Sequence, residues 1–303
     1  MSGDIKSSIL DLDRLDAPSR VHSVLTGALK KSLGDGCMLT SQAQPLWTPE
    51  FFGLDQTRAY RQATEEQKQT IIEKCSLALL EESLFIEQNG MWFATKMSML
   101  SETLEERMLY NLFAGDEATH YHQVRLFVPV EGELSAPNGF HHLLEQIIRE
   151  GDRDSLVFII QVVLEGWGMN HYKSLSRGCE DPVFKGVLAG ILKDEARHHG
   201  SGLVLYRDRG MSKKSQSYVA EVMAKFLDMI RMGPQSVAAV VEETCGMTRA
   251  QKIELFRELD TETHSRERLE RLRSLMTEDG EIGWLEKLDA RGSFQPFGPE
   301  ACV

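Results

Sequence analysis

The sequence predicts an all-α protein, and three observations carry that prediction. Apolar residues recur at three- and four-residue spacing over long stretches, apolar–polar alternation is short-lived, and β-branched clusters are few. Capping signals and Pro or Gly breaks then divide the chain into helices.

The N-terminal extension, residues 1–63, holds one expected helix at 18–31 and then an irregular stretch through Pro45 and Pro49. At Thr64 the string TEEQ offers a capping box, and helical spacing runs from there to residue 99. TLEE at Thr103 offers a second box, opening a helix expected to reach Val128, just before Pro129. The short turn between the two makes them antiparallel neighbours. Prolines and glycines mark 128–139 as a loop, and the amphipathic piece at 140–149 reads as part of a long crossover. A third long helix is expected at 154–177; a fourth starts at Pro182, with Asp181 as N-cap, and runs through Arg209 to a stop at Gly210. Residues 64–210 thus make a four-helix unit. The C-terminal region, 211–303, is expected to pack on it through helices at 213–231, 234–244 and 249–276, the last charged on most faces.

Composition narrows the function. A hydrophobic share of 42% beside 26% charged residues is enough to bury a sizeable core. A formal net charge of −12 argues against nucleic acid, whose binding needs clustered cations to release counterions. Cys37, Cys75, Cys179, Cys245 and Cys302 stand singly, without a CxxC pair, and read as reduced thiols in a cytoplasmic protein. Charges interrupt every apolar run before the ~20 residues that a membrane span needs, so membrane insertion is not expected.

The chemistry lies in an internal repeat. IEQNGMW at 86–92 and LEGWGMN at 164–170 each place Gly three residues after Glu, followed by Met. Glu87 precedes Glu117 by thirty residues, and Glu165 precedes Glu195 by thirty. Each second Glu stands in a matching string, DEATHYH or DEARHH, with Asp before it and His three residues after it. Positions i and i+3 share a helix face, so Glu117 with His120, and Glu195 with His198, can each aim two ligands at one point. Four carboxylates and two imidazoles suit hard or borderline cations such as iron or manganese, and two divalent ions would balance the four charges. Buried carboxylates are heavily penalised without such a partner. Asp116 and Asp194 are natural acceptors for the imidazole N–H groups, and Arg197 can pair with one of them.

The combination Glu87, Glu117-Ala-Thr-His120, Glu165 and Glu195-Ala-Arg-His198 resembles the ferritin-like di-iron carboxylate superfamily over about residues 64–209. The Asp-Glu-x-x-His form on both helices is closer to its oxygen-activating members, such as bacterial multicomponent monooxygenases and ribonucleotide reductase small subunits, than to storage ferritins. The resemblance implies a ferritin-like four-helix bundle holding two Fe ions, with a Mn/Fe pair equally compatible. It further implies O2 as co-substrate, a small-molecule substrate oxidised in the bundle, and an external electron donor such as a ferredoxin or reductase, because the chain carries no flavin, haem or cysteine-cluster pattern.

Several readings stay open at this level. Glu82 is the fallback for Glu87, and His199, four residues after Glu195, is the fallback for His198; Tyr121 occupies the equivalent of His199 in the first motif, which favours His198. Gly90 and Gly168 lie one turn beyond Glu87 and Glu165, where a mid-helix Gly costs ~1 kcal/mol relative to Ala. They make either tight helix packing or room for dioxygen and substrate, lined by Met91, Ala94, Met169 and Tyr172. Hydroxylation, desaturation, N-oxygenation and aldehyde deformylation are not separated, although the N-oxygenases compared often carry another histidine where this chain has Ile191. A ferroxidase or iron-handling protein, and a metal-free helical interaction protein, are the alternatives. A homodimer is one assembly open to it.

Overall fold

The computed structural model describes residues 19–40, 45–129, 138–277 and 283–303, and among these the regular structure is helical with no strand. Residue 18 and the loop residues 130–137, both included in the expectations above, lie outside the described residues.

Helix α1 (Arg20–Leu33) starts at Ser19, whose hydroxyl accepts from the His22 N–H. The irregular stretch after it contains a short helix, α2 (Arg58–Gln62), which the sequence reading omitted. α3 (Glu65–Leu100) opens with the predicted reciprocal box between Thr64 and Gln67. α4 (Leu104–Arg125) is capped by Thr103, but the second predicted box is only half formed. Glu106 turns instead to the Glu102 N–H with one oxygen and to the Arg153 guanidinium with the other, a charge-assisted pair. α5 (Gly139–Glu150) begins with a box that uses His141 as its N3 side chain.

The third long helix is not uniform. It starts as α6 (Arg153–Leu156), widens into a π-helix over Val157–Leu164, and continues as α7 (Glu165–Gly178). α8 (Pro182–Arg209) follows, its Asp181 carboxylate accepting from the N–H groups of Val183 and Phe184. α9 (Lys213–Arg231) and α10 (Gln235–Cys245) lie close to their expected places. The predicted helix at 249–276 is two helices, α11 (Arg249–Glu258) and α12 (Thr261–Thr277). Asp260 breaks it: its φ of 46° is a left-handed turn that Asp tolerates and a helix interior does not. α13 (Leu285–Ala290) was not foreseen.

α3 packs along α4, α7 along α8, and α4 against α8, forming a helical bundle. Two apolar cores occupy its length. One joins Phe93, Met97, Tyr110, Phe113 and the apolar π-segment to α9, α12 and α13. The other joins Leu80, Leu84, Val124, Tyr172, Leu175, Leu188 and Ile191 to Leu46 and Trp47. Trp47 is pinned there by an antiparallel bridge to Cys179 and an indole N–H donated to the Leu175 carbonyl at 3.0 Å. A third apolar cluster holds α10 and α11 on the N-terminal half of α3. No described helix is long and apolar enough to cross a membrane, and all five cysteines are free thiols.

Candidate metal centre

Each of the four helices passes from one apolar core to the other. The residues at the changeover are charged: Glu87 lies between Leu84 and Phe93, Glu117 and His120 between Phe113 and Val124, Glu165 between Val163 and Tyr172, while Glu195 and His198 follow Ile191. The result is a polar layer sealed at both ends by packed side chains.

The six residues fall into two overlapping groups. Glu87, Glu117, His120 and Glu195 offer ligand atoms that all lie within 4.8 Å of one another, as do Glu165, Glu195 and His198. Glu195 belongs to both. Within the layer, His120 Nδ1 lies 3.1 Å from Glu87 Oε2, and His198 Nδ1 lies 3.2 Å from Glu117 Oε1 and 4.0 Å from Glu165 Oε2. The Tyr172 hydroxyl donates to Glu87 Oε1.

The outer imidazole nitrogens are held crosswise. His120 Nε2 meets Asp194 at 3.2 Å, and His198 Nε2 meets Asp116 at 3.3 Å. Each motif's Asp therefore serves the other motif's His. Arg197 joins both aspartates, reaching Asp116 at 2.6 Å and Asp194 at 3.2 Å, where the sequence had suggested a single partner. This arrangement directs both Nδ1 atoms inward, the geometry by which an outer hydrogen bond fixes a ligating tautomer.

Electrostatics describe a layer with surplus negative charge. Burial, and then neighbouring carboxylates, hold Glu117 and Glu195 well above the usual carboxylate range; burial raises Glu165 likewise, against the pull of His198. Glu87 goes the other way, since bonds from His120 and Tyr172 outweigh its burial. Burial opposes protonation of His120, but Asp194 and Glu87 prevail and raise it well above its ordinary value. Glu165 Oε2 is buried without a hydrogen-bond partner, with His198 Nδ1 4.0 Å away. An orphaned carboxylate oxygen is costly in an apolar interior, and a cation beside it would remove that cost. The donor set, the shared Glu195 and this oxygen fit two hard or borderline divalent cations.

Gly90 is required by the site, because a Cβ there would overlap the Glu117 carboxylate. Gly168 is different: an added Cβ would meet nothing within 4 Å, so neither packing nor a carboxylate demands glycine there. Ala94 belongs to the apolar core beside Phe93, and Tyr172 points its hydroxyl at Glu87, whereas Met91 and Met169 are half-buried. The fallback ligands do not join the layer. Glu82 acts on His171 and Arg268, away from the six residues, because it is five residues from Glu87 and so on another face. His199 Nδ1 lies 2.9 Å from the Gln161 carbonyl, which turns it toward the π-segment.

Sequence reasoning missed Gln161. It is fully buried, accepts from the Tyr110 hydroxyl at 2.6 Å, and donates to the His198 carbonyl and to Ser201 Oγ, both at 3.2 Å. A lone amide inside the apolar run LVFIIQVVL was the available signal. α8 approaches it closely through Gly202, where a Cβ would overlap the Gln161 side chain.

Comparison with protein-family models, with curated proteins and with solved structures finds no match to this chain.

Proposed function

We propose that the protein is a ferritin-like, non-haem di-iron oxygenase or oxidase that uses O2 to oxidise a small organic substrate. The observation that carries this reading is the overlap of the two ligand groups at Glu195, with a carboxylate and an Asp-buttressed imidazole on either side. Glu87, His120 and Glu117 would hold one ion, Glu165 and His198 the other, and Glu195 would lie between them. Iron bound there would supply the redox chemistry with dioxygen.

The chain's own residues do the rest. The two apolar cores exclude water from the layer, which strengthens every charge interaction in it and protects a reactive oxidant from side reactions. Asp116 and Asp194 hold the imidazole tautomers, and Tyr172 steadies Glu87. Electrons would come from an external ferredoxin or reductase, and a Mn/Fe pair fits the same donors. The test is anaerobic loading with ferrous iron, metal analysis per chain, and optical spectra after mixing with dioxygen. Two irons and a transient absorption that candidate substrates shorten support an oxygenase; accumulation of ferric iron as a product, in a large hollow particle, supports iron handling instead.

A further inference from the structure

Away from the metal layer, the outer side of α7 forms one wall of a surface cleft of about 550 Å³. Lys173 and Arg177 line it from successive turns of α7, and Arg271 faces them from α12. Asn170 and Ser174 add neutral polar groups, and the Phe51 ring supplies an apolar floor. That floor is fixed: Phe51 stacks on Trp47 with ring centroids 5.9 Å apart and covers Gly178, where a Cβ would collide with the ring.

The three cations are notable for what they lack. Several arginines elsewhere are tied to carboxylates, as Arg58 is to Glu254 and Glu258, Arg153 to Glu106, Arg257 to Glu300 and Arg273 to Asp289. Among the described residues Lys173, Arg177 and Arg271 make no ion pair or hydrogen bond through their side chains, and Glu267, one turn before Arg271, does not pair with it. Lys173 and Arg177 stand at i and i+4, where like charges repel. Three such cations on one cleft concentrate positive charge on a chain that has 46 acidic and 34 basic residues.

We propose that this cleft is a binding site for a small organic oxyanion, a phosphate or carboxylate carried on a compact apolar body. Arginine forks pair with either group through two parallel hydrogen bonds, and the Phe51 face accepts the apolar body. The volume lies in the range of small-molecule sites and favours such a ligand over a protein surface, which would need about 800 Å² of contact. The inference does not depend on the metal layer, from which this face of α7 is turned away.

The experiment is calorimetric titration of the chain at low salt with inorganic phosphate, with benzoate, and with a short polyglutamate peptide. The proposal expects saturable one-to-one binding of phosphate or benzoate, the tighter of the two identifying the head group. Arg177→Glu with Arg271→Glu should weaken it about tenfold or more, as loss of charge-assisted bonds implies. Ser174→Glu, which places a carboxylate in the cleft, should do the same if the double variant misfolds. Arg20→Glu with Arg291→Glu, matched in charge, should bind like the unmodified chain. Absence of saturable binding by both small anions, an equal loss in the charge-matched control, or much tighter binding of polyglutamate, which would mark a protein-docking surface, overturns it.

Discussion

Glu195 is the residue on which the proposed metal site turns, because both groups of candidate ligands include it. Replacing it by Ala should abolish binding of both cations, whereas Glu165→Ala should remove one and leave the other. Metal analysis of the two variants separates these outcomes, and equal losses would contradict a shared ligand. Asp116→Asn and Asp194→Asn should each lower cation affinity by about 10- to 100-fold, the usual effect of losing a ligand's outer hydrogen bond, as read by competition with a chelator. A different residue sets an acid limit. Burial, reinforced by His142, depresses His141 from 6.5 to about 4, and its Nδ1 must stay unprotonated to accept the Asn138 N–H. The unfolded chain takes up a proton there below pH 6.5 that the folded chain refuses until about pH 4. Stability from this group is therefore fully present above pH 6.5 and is lost progressively toward pH 4. His141→Gln keeps an N3 acceptor without the titration, so its stability should fall less than that of the unmodified chain over this window in denaturant melts. The six residues that meet in the layer were legible because the repeat fixes them in register on four helices. The crosswise pairing of Asp116 with His198 and Asp194 with His120 was not, since it depends on how α4 and α8 face each other, which one-dimensional spacing does not encode.

At the scale of elements, the π-helix over Val157–Leu164 is the feature that presents Glu165. The Glu165 N–H bonds to the Ile160 carbonyl, five residues back, so the helix is wider here than an α-helix. Such widenings occur often at functional sites. Gln161 ties the widened turn to α4 through Tyr110 and to α8 through the His198 carbonyl. Gln161→Leu would strand the buried Tyr110 hydroxyl, while the His198 carbonyl keeps its bond from Ser201 Oγ, and should destabilise the chain by about 1–3 kcal/mol in urea unfolding. A loss below 0.5 kcal/mol would show that the network is not stressed by the change. The α-helices were largely readable from caps, as with Thr64, Thr103 and Asp181. The π-turn was not, because an apolar run buried on every side has no polar face to report a change of period. The break at Asp260 was hidden for the opposite reason: charged residues on most faces give α11 and α12 one continuous polar pattern.

For the whole molecule, the arrangement is a charged layer between two apolar cores, with α9 to α13 extending one core and covering the N-terminal half of α3. The sequence predicted that these C-terminal helices pack on the four long ones, and it could not say which core they would enlarge. If the layer holds cations as proposed, metal binding and folding are coupled. Cation at about 100 times its dissociation constant should raise the unfolding free energy by about 2.7 kcal/mol in the unmodified chain and by much less in Glu195→Ala, as thermal melts with and without chelator will show. The most direct measurement is the iron content per chain after anaerobic ferrous loading and removal of loose metal, made on the unmodified protein and on Glu195→Ala in parallel. Two irons in the first and essentially none in the second is the result expected of a shared-ligand di-iron centre. No stoichiometric iron in the unmodified protein, or the same content in both, would contradict it.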